Sequence, residues 1–290
     1  MILQILGALT ALKLVDNLFS FIGECCLKEK LDREGWILVT GCTGGIGLEF
    51  VREFRKRGRK VFMLGRNCSS LAEKFGGKGF CEYFDLDFDE TNSSKIMSSL
   101  SKIINSRKWA YVINNVSYRC GSLSLKTLDR KEISTCINVG TFPMVYITKL
   151  CLSTPEPPKI VNISAQNSFS TLLFNTKHNI ALPYLSVYEG VNNFQYAFSE
   201  SLIAEGVDLL NIMPGAVETK NTKKFLKKAQ PFTVKASDFA KTSLKYFHLR
   251  GSYVVHWKHK ITNVFVNIFP FIKSLFIKPT AKAIAATIGK

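Results

Sequence analysis

The first strong pattern in the chain is an apolar run, Trp36, Ile37, Leu38 and Val39, that ends in Thr40 and Gly41. A short continuous run of this kind, bounded by glycine, predicts a strand buried on both faces. Ile46, Phe50, Val51 and Phe54 then recur at helical spacing, with a basic end at Arg55, Lys56 and Arg57 and a stop at Gly58. That stripe predicts a helix over 46–57 whose last-turn cations suit the negative end of its dipole. Further apolar runs predict strands at 60–64, 80–84, 111–114 and 159–164. Helical spacing predicts helices at 93–104, 130–151 and 236–247, and a last strand at 252–256. Strands alternating with helices imply an α/β fold, a doubly wound parallel sheet with helices on both faces.

Composition adds size and sign. With 290 residues and 46% hydrophobic content the chain can bury one large core, and no linker divides it. Lysine and arginine number 39 against 22 acidic residues, a net charge of +17. A balance of that kind suits an anionic membrane surface or a polyphosphate ligand, and with no nucleic-acid module in the sequence we expect no nucleic-acid partner. The 8 cysteines include no Cys-x-x-Cys pair. Free thiols in a reducing compartment account for them, so the domain is expected to face cytosol. His256 and His259 lack nearby acidic or thiol partners, and no metal site is expected.

Both ends are apolar. Residues 2–27 are interrupted by Lys13, Asp16 and Glu24, and residues 264–277 by Pro270 and Lys273. A spanning helix needs about 20 apolar residues. The first segment therefore reads as an uncleaved anchor or an interfacial helix, the alternative being a soluble helix packed on the domain. Lys28, Lys30 and Arg33 after it would hold the domain on the cytoplasmic side.

The chemistry lies where the first strand turns into the first helix. Gly41, Gly45 and Gly47 recur in Thr40-Gly-Cys-Thr-Gly-Gly-Ile-Gly47. Glycine lets the backbone reach positive φ and approach a ligand, while the first amides of the helix stay unpaired. A phosphate is the natural occupant. The second strand ends in Gly65-Arg66, with no acid there to hold ribose hydroxyls. An arginine at that point accommodates the extra phosphate of NADP.

Thr40-Gly41-x-x-x-Gly45-x-Gly47 resembles the nucleotide turn of the short-chain dehydrogenase/reductase family. Asn114-Asn115-Val116-Ser117 is similar to the family's Asn-Asn-Val-Gly, with Ser117 in place of the glycine. Ile137-Asn138-Val139, the strand ending at Ser164, and Pro214-Gly215 with Thr219 match further family motifs. The resemblance implies a Rossmann-type sheet of about seven strands. It implies NADP(H) held by Thr40, Gly41, Thr43, Gly45, Ile46, Gly47, Arg66, Asp87, Asn114, Pro214, Gly215 and Thr219. It places Tyr188, Ser164, Asn138 and Asn192 at the catalytic positions. It divides the chain into an N-terminal membrane segment (1–28), a nucleotide-binding domain (29–260) and an apolar membrane-proximal tail (261–290).

Asn-Asn-Val, the residues after Pro214-Gly215 and the apolar ends resemble one branch, the membrane-bound very-long-chain 3-ketoacyl-CoA reductases and related 17β-hydroxysteroid dehydrogenases. That branch implies a long-chain acyl-CoA or other lipophilic ketone as substrate and the endoplasmic reticulum membrane as location. It also implies a homodimer or association with fatty acid elongation enzymes. Five lysines between Lys220 and Lys228 follow the Pro-Gly turn, as a solvated face or as a contact for CoA phosphates or anionic headgroups.

Two departures stand out. The family's Tyr-x-x-x-Lys reads Tyr188-Glu-Gly-Val-Asn192, and no tyrosine in the chain has lysine four residues on. The branch's paired serines read Ser164-Ala165, with an insertion over 166–183, so Ser164 or Ser168 is left to supply the hydroxyl. A tyrosine without the lysine stays protonated at neutral pH, its reference pKa being about 10. Reduction is then favoured over alcohol oxidation. The alternative is a catalytically impaired dinucleotide-binding scaffold or sensor at the membrane.

Overall fold

Trp36–Thr40 forms β1, its apolar residues filling both sides of the sheet: Ile37 and Val39 face one core, Leu38 the other. The structure, a computed structural model, describes residues 23, 26–90, 94–120, 125–166, 185–220, 222 and 232–268. After β1 come α1 (Gly45–Lys56), β2 (Val61–Gly65), β3 (Cys81–Asp85), α2 (Ser94–Asn105) and β4 (Trp109–Asn114). They are followed by α3 (Arg130–Leu152), β5 (Lys159–Ile163), α4 (Ser186–Ala204) and β6 (Leu209–Ile212). The chain continues through β7 (Val217–Glu218), β8 (Val234–Lys235), α5 (Ala236–Ser243), β9 (Gly251–Tyr253) and α6 (Trp257–Ile268).

Seven strands form one sheet in the order β3-β2-β1-β4-β5-β6-β9, every neighbour parallel. The order reverses between β1 and β4, and in open α/β sheets ligands bind outside the strand ends at that switch point. Phe50, Val51 and Phe54 of α1 and Phe239 of α5 cover one face with Phe247. Leu100 and Ile104 of α2 and Val139, Ile147 and Cys151 of α3 cover the other. The expected α/β layers are therefore present.

Differences from expectation are local. The helix foreseen at 236–247 ends at Ser243 and tightens into a 3₁₀ turn over Leu244–Tyr246. The boundary drawn after residue 260 falls inside α6, which starts at Trp257. Among the described residues only α3 is long and apolar enough to cross a bilayer, and its buried side packs against the sheet. Most of the N-terminal segment, residues 167–183 of the insertion, Lys223 to Lys228 and the tail beyond 268 lie outside the described residues.

Candidate active site

The turn after β1 is held by side chains of β1 and β4. Thr40, fully buried, donates from Oγ1 to Ile113 O (3.2 Å) and accepts from the amides of Asn115 (2.9 Å) and Val116 (3.0 Å). Asn115 Nδ2 returns bonds to Thr40 O (3.0 Å) and Gly41 O (3.1 Å). Gly41 and Gly45 sit at φ 61° and 55°, a region that favours glycine. The N-cap of α1 is Gly44, with no side-chain cap and no acid in the first turn. Its leading amides therefore stay available beside the cavity.

That cavity, about 450 Å³, opens at the switch point. Gly41, Thr43, Gly45 and Ile46 of the turn line it, together with Arg66, Asp87, Ser164 and Tyr188. Pro214, Gly215 and Thr219 line it as well. Arg66 pairs with Asp87 at 3.6 Å, but Arg66 is 66% exposed and free to turn outward.

The other expected residues stand elsewhere. Thr40 and Gly47 support the turn from behind. Asn114, expected at the cofactor, is buried, its Nδ2 donating to Thr148 Oγ1 (3.1 Å) and Asn162 Oδ1 (2.9 Å), and it does not line the cavity. Its neighbour Asn115 lines the cavity instead. Asn138 is half-buried on α3 and does not line the cavity; Thr135 and Val139 of that helix do. Ser164 lines the cavity, yet its hydroxyl donates inward to Asn211 Oδ1 at 2.9 Å. Asn211 in turn donates to Ser252 Oγ (3.0 Å), and Ser252 to Glu200. Ala165 beside it offers no hydroxyl. Ser168 lies outside the described residues.

Tyr188 projects from the first turn of α4, half-buried. Burial pushes its hydroxyl above the ordinary tyrosine pKa, while the Arg119 charge and the Asn192 and Ser117 side chains pull it down less strongly. Asn192, at the family's lysine position, is buried, and its Nδ2 makes no hydrogen bond of normal geometry. Sequence reading missed Arg119, which comes from the loop after β4 with its guanidinium carbon 5.7 Å from the Tyr188 ring centre.

His259 is a second residue the sequence did not reveal. Its Nδ1 accepts from the Gly215 amide at 3.1 Å, and Nε2 lies 3.1 Å from Ala216 O. That pair fits a neutral ring with its proton on Nε2. Gln166 ties in through its amide to Pro214 O (2.9 Å) and through Nε2 to His259 O (2.8 Å). Burial lowers the His259 pKa to about 4, below the ordinary 6.5. A depressed histidine contributes stability above its unfolded pKa that is lost as pH falls through the folded value. Stability should therefore fall between pH 6.5 and 4. A His259→Gln protein, compared by urea unfolding across that range, should show a slope weaker by about 3 kcal/mol in total. Identical slopes in the two proteins would refute the assignment.

A parallel sheet with a glycine turn at its switch point defines a Rossmann-type nucleotide-binding domain. A family model described as short chain dehydrogenase matches residues 35–230, and the chain belongs to that family of oxidoreductases. It is similar to the very-long-chain 3-oxoacyl-CoA reductase of Mus musculus, 27% identical over 241 residues, covering 76% of this chain and 72% of the relative. The 17-beta-hydroxysteroid dehydrogenase type 3 of Homo sapiens is 26% identical over 249 residues, 81% of this chain and 75% of the relative. Among solved structures, a short-chain dehydrogenase from Sphingobium yanoikuyae in complex with NADPH superposes with TM-score 0.60 at 17% identity, over 74% of this chain and 85% of that one. The family read from the motifs is borne out, and the relatives include members of the branch the motifs resemble, at modest identity.

Proposed function

We propose that this protein uses NADPH to reduce a carbonyl on a lipophilic substrate, either a long-chain 3-ketoacyl-CoA of fatty acid elongation or a 17-ketosteroid. The observation that carries the reading is that Tyr188 and the glycine turn share one cavity. The residues fit the dinucleotide: the uncapped start of α1 suits a pyrophosphate, Arg66 a 2′-phosphate, and the partnerless Nδ2 of Asn192 a ribose hydroxyl. When bound, NADPH supplies hydride to the carbonyl carbon. Tyr188 then gives its proton to the carbonyl oxygen and is reprotonated from solvent, while Pro214 and Gly215 shield the reacting face. The free thiols support a cytosol-facing site, and the apolar ends of the sequence support its place at a membrane, the endoplasmic reticulum in this proposal. Dimerisation or association with elongation enzymes belongs to the same proposal.

The inward bond of Ser164 favours a second reading, a dinucleotide-binding scaffold with impaired catalysis. One assay separates the two. Detergent-solubilised full-length protein is given NADPH and a long-chain 3-ketoacyl-CoA, with nucleotide binding followed by fluorescence and turnover by nicotinamide absorbance. Binding with turnover supports the reductase; binding without turnover supports the scaffold.

Coenzyme choice gives a further expectation. An exposed ion pair such as Arg66–Asp87 is worth only about 0–1 kcal/mol, so a 2′-phosphate competes for the guanidinium. Arg66→Ala should weaken NADPH about tenfold or more, a charged hydrogen bond being worth roughly 1.5–3 kcal/mol, and should leave NADH nearly unchanged. Equal losses for both coenzymes would remove Arg66 from the 2′-phosphate site.

A further inference from the structure

We infer that Arg119 supplies, from the loop after β4, the positive charge at Tyr188 that the helix position Asn192 lacks. This rests on the reductase reading and adds a positioning residue that acts through the tyrosine. The guanidinium carbon lies 5.7 Å from the centre of the Tyr188 ring, and both side chains line the same cavity. Asn192, one helical turn on from Tyr188, is buried and meets the tyrosine only as a neutral amide, carrying no charge. A cation over an aromatic face is attracted by the ring, more so once the ring oxygen becomes anionic.

The groups that face Tyr188 come from three elements. Ser117, Arg119 and Cys120 stand on the loop after β4, Cys136 on α3 and Asn192 on α4 itself, while the Glu189 carboxylate of α4 faces Arg119. Burial opposes ionisation of Tyr188, and the Arg119 charge is the strongest influence in the other direction. Burial also lowers the pKa of Arg119, and the Tyr188 charge raises it again, so each group favours the ionised form of the other. Removing a proton from Tyr188 during reduction leaves a phenolate beside a guanidinium. Without Arg119 that phenolate would be supported only by the neutral Asn192 and Ser117 side chains.

The test follows the ring carbon bearing the hydroxyl of Tyr188 by nuclear magnetic resonance in full-length solubilised protein labelled at that carbon of tyrosine. Tyr188→Phe assigns the signal. In Arg119→Gln the titration midpoint should rise by about one pH unit or more, an opposite charge at this range normally shifting a pKa by 1–3. Arg119→Lys should bring it back most of the way. Where the glutamine variant does not fold, Arg119→Met keeps the apolar stem and removes the same charge. In turnover, the alkaline limb of carbonyl reduction should move up with the midpoint. An unmoved midpoint overturns the inference, and so does a rise that lysine fails to reverse. Weakened NADPH binding with an unmoved midpoint would instead make Arg119 a phosphate ligand, which also overturns it. The resonance reads with or without nucleotide, so a protein that binds no NADPH sinks the reductase reading and leaves this result standing.

Discussion

A Gly47→Ala protein is expected to lose most of its affinity for NADPH while keeping its fold. A β-carbon at residue 47 would lie 2.5 Å from Gly41 O and 2.5 Å from Asn115 Nδ2. Those two atoms are bonded to one another across the turn at 3.1 Å, so the methyl group would wedge apart the contact that sets the height of the loop. Gly41 has little room to retreat, because a β-carbon there would already meet Val116 Cα at 2.8 Å. The strain must then be taken up by moving the start of α1, whose free amides are the proposed phosphate site. Overpacking of this kind costs about 1–3 kcal/mol. Expressed in binding, that is a loss of about 5-fold to 150-fold, and thermal unfolding would drop by only a few degrees. Fluorescence titration with NADPH measures it, and unchanged affinity would show that the turn does not carry the nucleotide.

The same turn shows what a linear sequence discloses. Strand, glycines and helix stripe are consecutive, so their period and order can be read directly, and β1, α1 and β2 fall within a residue of expectation. The adjacent asparagines could not be separated that way. Successive residues of a strand face opposite sides. Only the packed structure shows Asn114 turned toward Thr148 and Asn162, and Asn115 toward Gly41. Ser164 was legible as a strand end at the site, but its hydroxyl partner Asn211 sits on a neighbouring strand 47 positions away. His259 and Arg119 act over comparable separations, on a backbone amide and on a ring face, and neither forms a motif. The cradle is local and therefore readable; the groups that tune it meet only when the sheet is assembled.

Tyr188→Phe carries the largest expected effect on turnover. The substitution removes one oxygen from a half-buried ring in the first turn of α4, so packing and nucleotide affinity should be preserved. A positioned general acid is worth about 10²–10⁴ in rate, and the Ser164 hydroxyl is committed to Asn211. Reduction of a 3-ketoacyl-CoA should therefore fall by about that factor at saturating NADPH. The pH dependence follows from burial, which raises the Tyr188 pKa above the ordinary tyrosine value. The hydroxyl stays protonated through neutral pH, so reduction by the wild-type protein should be flat there and decline only on the alkaline side. Alcohol oxidation needs the phenolate as base and should be slow at neutral pH, rising as pH climbs. Steady-state rates in both directions between about pH 6 and 10 would test these expectations together. A Tyr188→Phe protein as fast as wild type would remove the tyrosine from the chemistry, and equal efficiency in the two directions at neutral pH would contradict a raised pKa at the acid.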